Sequence, residues 1–276
     1  MTWGSSFILM KLGLKFYSPW QVATIRLVSA LIMLIGFAIP DFRKIPLNRI
    51  GYVVLSGLMV MSIPAYLFCY AETGISSAIA GILNALTPFF TLVFGALFFR
   101  QPILRMQVGG LIIGFIGILL LTLINAKGEL VFNHFAFFVI AAAICYGLNI
   151  QIVKTYLSDV NPFHLTTVSV SIAGIFSLVY VLLSGGFQIL PVTDRNRVPL
   201  IASITLGLLG TAMAQLLFNV VIKRSSAIFA SSIIYALPIV AVFWGVLDNE
   251  PIMAWHYLGM ICIITGIIVM RRKATK

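Results

Sequence analysis

Long apolar stretches alternate with short polar gaps along the whole chain. A helix that crosses a lipid bilayer needs about 20 mostly apolar residues, and most of the stretches have about this length. The pattern predicts ten membrane-spanning helices, at approximately residues 2–16, 19–39, 50–70, 75–98, 104–125, 131–154, 162–184, 198–222, 226–247 and 253–271. The predicted fold class is therefore an all-α integral membrane protein, a bundle of ten transmembrane helices whose short connections make neighbours antiparallel.

The second half of the chain repeats the first. The prolines and glycines of residues 87–121 recur in register in residues 237–270, with Pro88 matching Pro238. Ser18-Pro19 and Asn161-Pro162 also match, and each predicts an N-cap followed by proline at the first helical position. Internal repeats in membrane proteins indicate transporter architecture. The predicted domains are two five-helix repeats, residues 1–125 and 131–271.

The first predicted helix is short. Its repeat partner begins near Val131, about a dozen residues before the position that matches Trp3, whereas the chain begins two residues before Trp3. Our interpretation is that helix 1 is truncated at its N-terminus. A misplaced start and a real truncation both explain this.

Composition and charge fit a membrane protein. Hydrophobic residues make up 61% of the 276 residues and charged residues only 9%, and a soluble domain carries about 25% charged residues. The net charge of +11 comes from Lys and Arg in the gaps and at the C-terminus, which favours anionic lipid over nucleic acid as the partner. The side with more Lys and Arg predicts a cytoplasmic C-terminus.

Five helices per repeat is an odd number, so the two repeats must lie in opposite orientations in the membrane. Such inverted repeats are related by a pseudo-two-fold axis in the membrane plane, and substrate sites form between them.

Polar and aromatic residues recur at equivalent positions of the two repeats. On helices, such residues gain more by facing the bundle than by facing lipid. We predict that the following line a substrate cavity: Trp3, Ser6, Arg26, Tyr66, Asn84, Tyr146, Asn149, Gln215, Asn219 and Tyr235. Pro88 and Pro238, which each remove a backbone hydrogen bond, are the predicted hinges. The alternative for every member of this set is a structural hydrogen bond or helix packing.

Arg26 is the charged residue that lies well inside a predicted span. A charge at that depth is costly and is a functional candidate by default, because it could pair with a carboxylate or phosphate of the substrate. Snorkelling to headgroups, or bonding to carbonyl groups of a neighbouring helix, is the alternative. Glu72 and Lys11 fall near the outer ends of spans, where ordinary boundary charges are also found. All acidic residues lie at span ends or in gaps, which argues against a simple antiport mechanism based on an acid at mid-membrane.

The sequence offers no catalytic constellation. Its three cysteines fall in separate apolar runs and its three histidines are scattered, so we predict no disulfide, metal site or cofactor. The glycines of the fifth helix, Gly109 to Gly117, include a GxxxG spacing that favours close helix packing. An intramembrane enzyme is the third alternative behind a transporter and a non-transporting protein.

The N-terminal stretch WGSSFILMKLGLKFYSPWQVATIRLVSALIML resembles the opening signature of EamA-type members of the drug/metabolite transporter superfamily. The shared features are Trp-Gly-Ser, a following Lys, the Ser-Pro turn and an Arg in helix 2, together with the proline of helix 4. The resemblance implies ten helices in two inverted repeats around a central cavity that opens to one side at a time. Members move amino acids, other metabolites, nucleobase-type compounds or drugs, often outward. Two features depart from the pattern: Gln101 stands where Glu is common, and the start of helix 1 is missing.

Together these observations predict a secondary transporter in the cytoplasmic (inner) membrane, a multi-pass protein that exports small organic metabolites such as amino acids by alternating access. Its expected partners are the lipid bilayer, a small-molecule substrate, and a proton or another coupling ion, with the chain as a monomer or homodimer. The alternative is a truncated membrane protein that does not transport, or an assembly partner.

Overall fold

The computed structural model describes residues 2–101, 104–123, 133–184, 192–250 and 253–271, and all regular structure in these ranges is helical. In chain order the helices are α1 Ser6–Leu14, α2 Pro19–Phe42, α3 Leu47–Ala71, α4 Ser77–Phe99, α5 Arg105–Leu123, α6 Phe135–Tyr156, α7 Pro162–Ser184, α8 Asp194–Arg224, α9 (three consecutive pieces, Ala227–Ser232, Ile233–Tyr235 and Ala236–Leu247) and α10 Ala254–Arg271.

Six of these helices are long and apolar enough to cross a membrane: α2, α3, α4, α6, α7 and α8. Shorter apolar stretches lie in α5, α9 and α10, and α1 has nine residues, or about 14 Å at the usual rise per residue. The predicted all-helical membrane fold is confirmed. The prediction that ten helices each span the bilayer stays a prediction.

The two predicted proline turns begin helices as expected. The Ser18 side chain accepts a hydrogen bond from the Gln21 backbone N–H, and the Gln21 side chain accepts one from the Ser18 N–H, so the two form a capping box ahead of α2. At the matching start of α7, the Asn161 side chain accepts from the Phe163 N–H at 2.9 Å. These side chains satisfy backbone donors that a helix start leaves unpaired.

Helix irregularities occur at matching places in the two halves of the chain. α4 is interrupted between its pieces Ser77–Asn84 and Thr87–Phe99, and in α9 the 3-10 turn Ile233–Tyr235 occupies the corresponding place. Pro88 and Pro238 are buried just after these interruptions. Likewise α3 contains the π-helical turn Leu58–Ser62, and α8 contains Leu206–Met213. Irregular backbone inside a membrane protein is tolerated where other parts of the protein cover it.

Helices at equivalent positions in the two halves of the chain pack against each other. α2 packs along α7, and α5 packs along α10, so helices in the same position of each half meet one another. α1 packs on α8 as α3 packs on α6, and the first piece of α4 packs on the last piece of α9. The buried core therefore runs between the two halves of the chain.

Glycines bring α5 and α10 into backbone contact. A Cβ atom added at Gly117 would lie 2.6 Å from the Gly259 carbonyl oxygen and 2.9 Å from the Ile263 nitrogen. A Cβ atom added at Gly266 would meet the Gly110 carbonyl oxygen and, at 2.6 Å, the Gly114 nitrogen. The predicted close packing at these glycines is present, whereas Gly109 has open space around its added Cβ.

We expect Gly117→Ala to destabilise the protein and Gly109→Ala to have little effect. The new methyl group at position 117 meets backbone atoms that cannot move independently, and overpacking of this kind costs about 1–3 kcal/mol. At position 109 the methyl group meets nothing, and alanine favours the helix over glycine by about 1 kcal/mol. Thermal unfolding of both purified variants in one detergent measures the difference. Equal unfolding temperatures would show that α5 and α10 do not approach this closely.

Candidate functional site

A cavity lies inside the helix bundle, with walls from α1, α2, α3, α4, α6, α8 and α9. The space open to the centres of water molecules is about 50 Å³, enough for a few waters at roughly 10–15 Å³ each. Most of its wall is apolar, contributed by Phe7, Met10, Val60, Met61, Phe68, Ile150, Phe218, Ile234 and Leu237. Mostly apolar walls with a few placed polar groups are typical of small-molecule sites.

Seven of the ten residues predicted for a substrate cavity line this one: Trp3, Ser6, Arg26, Asn84, Tyr146, Asn149 and Gln215. Tyr66, Asn219 and the two predicted hinges do not line it in the described part of the chain. The side chain of Tyr235 lies outside what the structure describes, and Pro88 and Pro238 are buried elsewhere in the bundle. That the cavity holds a substrate stays a prediction.

Tyr66 and Asn219 face other helices. The Tyr66 hydroxyl lies 2.6 Å from the Ser177 hydroxyl and 3.3 Å from that of Thr24. The Asn219 side chain donates to the Thr166 hydroxyl at 2.9 Å and accepts from Gln215 at 3.1 Å. Both have the structural hydrogen bonds that were the alternative for every residue of the predicted set.

Arg26 is held in the cavity wall by a hydroxyl group. Its Nε donates to the Thr211 hydroxyl at 2.6 Å, and the residue is only 6% exposed. Thr211 in turn donates to the Leu206 carbonyl oxygen inside the π-helical stretch of α8. None of the ion pairs found among the described residues includes Arg26. No carboxylate of these residues therefore lies within 4 Å of its guanidinium. A buried guanidinium that no carboxylate contacts is suited to binding an anion.

Asn149 presents an unused amide to the same cavity. It is fully buried, and neither its nitrogen nor its oxygen has a hydrogen-bond partner within the described ranges. An unpaired buried polar group costs about 1–3 kcal/mol, so this arrangement gains most when a ligand supplies the partners. The other polar wall residues are already engaged: Trp3 donates to the Gly210 carbonyl oxygen, Ser6 to that of Thr2, and Gln215 to Asn219.

A cluster of charged residues closes one end of the bundle near this cavity. Lys11 of α1 contacts Asp248 at 2.6 Å and Glu250 at 2.7 Å. The Glu250 carboxylate also accepts from the Ser77 hydroxyl and from the Ser77 and Ala78 N–H groups, and so caps the start of α4. Burial alone would raise the pKa of Glu250, but the hydrogen bonds from Lys11, Ser77 and Ala78 lower it below its ordinary value of 4.5.

The matching place in the other half has the same backbone but different chemistry. Arg100 and Asn249 both adopt left-handed conformations, with φ of 52° and 55°. The next N–H groups, of Gln101 and Glu250, each bond at 2.9 Å to the carbonyl oxygen of a glycine in the preceding helix. Gln101, however, donates to the neutral Gln151 side chain at 3.0 Å. The loops are thus equivalent, but among their described residues only the second carries an ion-pair cluster.

These features define a class of protein: multi-helix membrane proteins that enclose a cavity with buried polar groups. The EamA-like transporter family matches residues 1–123 and 135–272, nearly the whole chain. The chain therefore belongs to the EamA-like transporter family, as its sequence resemblance implied. It is a membrane transporter of that family.

Relatives of similar length are named as transporters. An "Uncharacterized transporter" of Archaeoglobus fulgidus is 26% identical over 98% of this chain and 95% of that protein. The "Uncharacterized inner membrane transporter YedA" of Escherichia coli (strain K12) is 25% identical, over 97% and 86% of the two chains. A "Probable amino-acid metabolite efflux pump" of the same organism is 23% identical, over 98% and 91%.

A solved structure shares the fold. It superposes with a TM-score of 0.71 at 15% sequence identity, and the match covers 98% of this chain and 92% of that one. Similarity at this level of identity shows that the helical architecture is common to both proteins.

We expect Glu250→Gln to destabilise the protein at neutral pH by about 3 kcal/mol, because it leaves the partly buried Lys11 with fewer partners. The matched control is Asp159→Asn. The Asp159 carboxylate of the wild type is half exposed and lies 3.4 Å from Arg49. Exposed pairs are worth about 0–1 kcal/mol. Thermal unfolding in detergent measures both.

The pH dependence of this effect has a definite sign. Since the folded state lowers the pKa of Glu250, its stabilising contribution is present above the ordinary value near 4.5 and is lost as the pH falls through the lowered value. Wild type and Glu250→Gln should therefore converge in stability on acidification below about pH 4.5. A difference that is constant from pH 7 to pH 3 would exclude the ion pair as its origin.

Proposed function

We propose that this chain exports small organic solutes, such as amino acids, across the inner membrane by alternating access. The single observation that carries the proposal is a buried cavity whose wall holds a guanidinium without an acidic partner and an amide without any partner. A relative named as an amino-acid metabolite efflux pump and another named as an inner membrane transporter support the substrate class, the direction and the membrane.

Recognition of the solute follows from the cavity wall. Arg26 can bind a carboxylate, and Asn149 can donate to it or accept from a neighbouring ammonium or hydroxyl group. Trp3, Tyr146 and Phe218 supply aromatic faces for an apolar side chain, with the Trp3 and Phe218 rings 4.7 Å apart. The present cavity is smaller than such a solute, so binding requires the walls to separate.

The matched irregularities support two inverted five-helix repeats that move against each other. The α2–α7 and α5–α10 pairs join equivalent helices, as a pseudo-two-fold axis requires. Contacts of Gly117 with Gly259 and of Gly266 with Gly110 join equivalent residues in both directions. In this proposal α4 and α9 bend at their interruptions, with Pro88 and Pro238 as the hinges.

We expect Arg26→Ala to abolish transport of carboxylate-bearing solutes while the protein still inserts and folds. Purified protein in proteoliposomes would be tested with L-leucine as reference probe, beside a dicarboxylate and an uncharged amide. Asn149→Leu, of similar volume, should also reduce flux of leucine, since it removes the free amide. Arg49→Ala is the control, because Arg49 forms a partly exposed ion pair with Asp159 and does not line the cavity.

Unchanged leucine kinetics in Arg26→Ala would remove Arg26 from the binding site. Failure of the wild type to move any member of the panel in either direction would favour the non-transporting alternative.

We expect the Ser18 and Asn161 turns to lie on opposite sides of the membrane. They are repeat equivalents, and inverted repeats place equivalent turns in opposite compartments. Ser18→Cys and Asn161→Cys would be labelled with a membrane-impermeant maleimide in whole cells, in a background where Cys69, Cys145 and Cys262 are replaced by serine. Labelling of only one of the two from outside fits the proposal, whereas equal labelling of both would mean that the repeats are parallel.

A further inference from the structure

Glu72 is a buried carboxyl group that the transport proposal does not use. It follows the last residue of α3, and the residue as a whole is partly exposed. Both carboxyl oxygens, however, are shielded from solvent and have no hydrogen-bond partner among the described residues. It is the one carboxyl group in the described part of the chain with this property.

Other shielded acids of this protein are fully partnered. Asp41 in α2 accepts hydrogen bonds from the Lys44 ammonium at 3.1 Å and the Thr167 hydroxyl at 2.8 Å, and His164 lies 2.8 Å away. Glu250 has Lys11, Ser77 and Ala78 as donors. Asp41 and Glu250 therefore have hydrogen-bond donors that stabilise the ionised carboxylate. The Glu72 carboxyl group has no such donor among the described residues.

The surroundings of Glu72 favour its neutral form in this arrangement. A buried carboxylate without a donor is strongly disfavoured, and the C-terminal end of a helix adds a negative potential. Burial, reinforced by the charge of Glu250, raises the pKa of Glu72 well above its ordinary value of 4.5, while Lys11 and Arg26 oppose the shift. Lys11 is occupied by Asp248 and Glu250.

The groups that face Glu72 come from several elements. The charged and titratable ones are Lys11 of α1, Arg26 of α2, Cys69 of α3 itself, and Glu250 from the loop between α9 and α10. From α6, Tyr146 interacts with Arg26 and Cys69, and Phe135 and Phe138 contact the ring of Tyr70, two residues before Glu72. Cationic or neutral residues of α1, α2 and α6 therefore lie around the Glu72 carboxyl group, together with one acidic residue of the loop between α9 and α10.

Glu72 lies between the cavity and the charged end of the bundle. Phe68, one helical turn before it, lines the cavity, and so does Met10, the neighbour of Lys11. A helical turn advances about 5.4 Å, so the carboxyl group is a short step from the cavity wall. The Lys11–Glu250 contact is also close enough for both charges to act on the Glu72 carboxyl group.

We propose that Glu72 is the proton-binding site that couples transport to a proton gradient. The inference rests on the proposed transport function and adds the coupling ion to it. When the Lys11–Glu250 contact opens, water reaches Glu72 and Lys11 becomes free to pair with it, so the carboxyl group gives its proton to solvent. When the end closes, the carboxyl group must bind a proton before it is buried. When the opposite end of the bundle opens, Glu72 exchanges its proton with water in the cavity, and this step completes the cycle.

The sign of the pH effect follows from linkage. The closed arrangement binds the proton more tightly than the open one, so low pH favours the closed end and rising pH favours its opening. The transition falls between the ordinary value near 4.5, which applies to the open and hydrated group, and the raised value of the closed arrangement.

The proton itself is the first probe. Infrared spectra of the purified full chain, titrated from acid to alkaline pH, should show a carboxylic acid C=O band that persists at pH 7 in the wild type. Glu72→Gln should lose this band, and Asp41→Asn, which changes an acid with several partners, should keep it. Glu72→Gln copies the neutral form, so its thermal stability at neutral pH should be unchanged. No band at pH 7, or a band that survives Glu72→Gln, would overturn the proposal.

Transport of L-leucine in proteoliposomes is the second probe. A pH gradient should drive accumulation in the wild type, and Glu72→Gln should lose this accumulation while retaining leucine counterflow, which needs no net proton movement. Gradient-driven accumulation that is equal in both proteins would refute the proton site and leave the transport function intact. If the wild type moves no leucine at all, the proposed function fails for this solute, and the infrared band still decides whether Glu72 holds a proton.

Discussion

The structure depends on one constraint, that backbone polar groups inside a bilayer must be paired within the protein. A continuous helix satisfies this rule by itself, and every interruption of a helix must be covered by neighbours. The four interruptions, in α3, α4, α8 and α9, each include or adjoin buried residues. Residues at or beside them, such as Met61, Asn84, Gly210 and Ile234, line the cavity. The cavity therefore forms where the helices are interrupted.

The same constraint explains which parts of the fold the sequence could predict. Prolines and glycines carry information that apolar residues lack, because each changes backbone bonding or approach distance. Pro88 and Pro238 marked the interruptions, Ser18 and Asn161 marked helix starts, and Gly117 and Gly266 marked a contact between backbones. Arg26 was equally informative, since a charge at that depth needs a specific reason.

Other features of the site could not be predicted from the sequence. Thr211 holds Arg26, but it lies in a π-helical stretch that changes which residues share a face, so helical periodicity does not assign it to the cavity. Tyr66 and Asn219 were predicted to line the cavity from their type and repeat position, yet each bonds to hydroxyl groups of a neighbouring helix. A pattern shows that a polar side chain faces the interior. It does not distinguish a cavity from another helix.

The two ends of the bundle differ although the repeats share a backbone. At one end Glu250 joins α1, the start of α4 and the loop before α10 through one carboxylate, whereas the matching Gln101 makes an amide contact to Gln151. In the proposed transport cycle, opening the first end would separate an ion pair, whereas opening the second would exchange neutral amide hydrogen bonds for water. An inverted repeat with identical ends would favour neither side. In the proposed mechanism, the ion-pair cluster around Glu250, which Gln101 does not reproduce, would make the two ends respond differently to pH, and it lies close to Glu72, the proposed proton site.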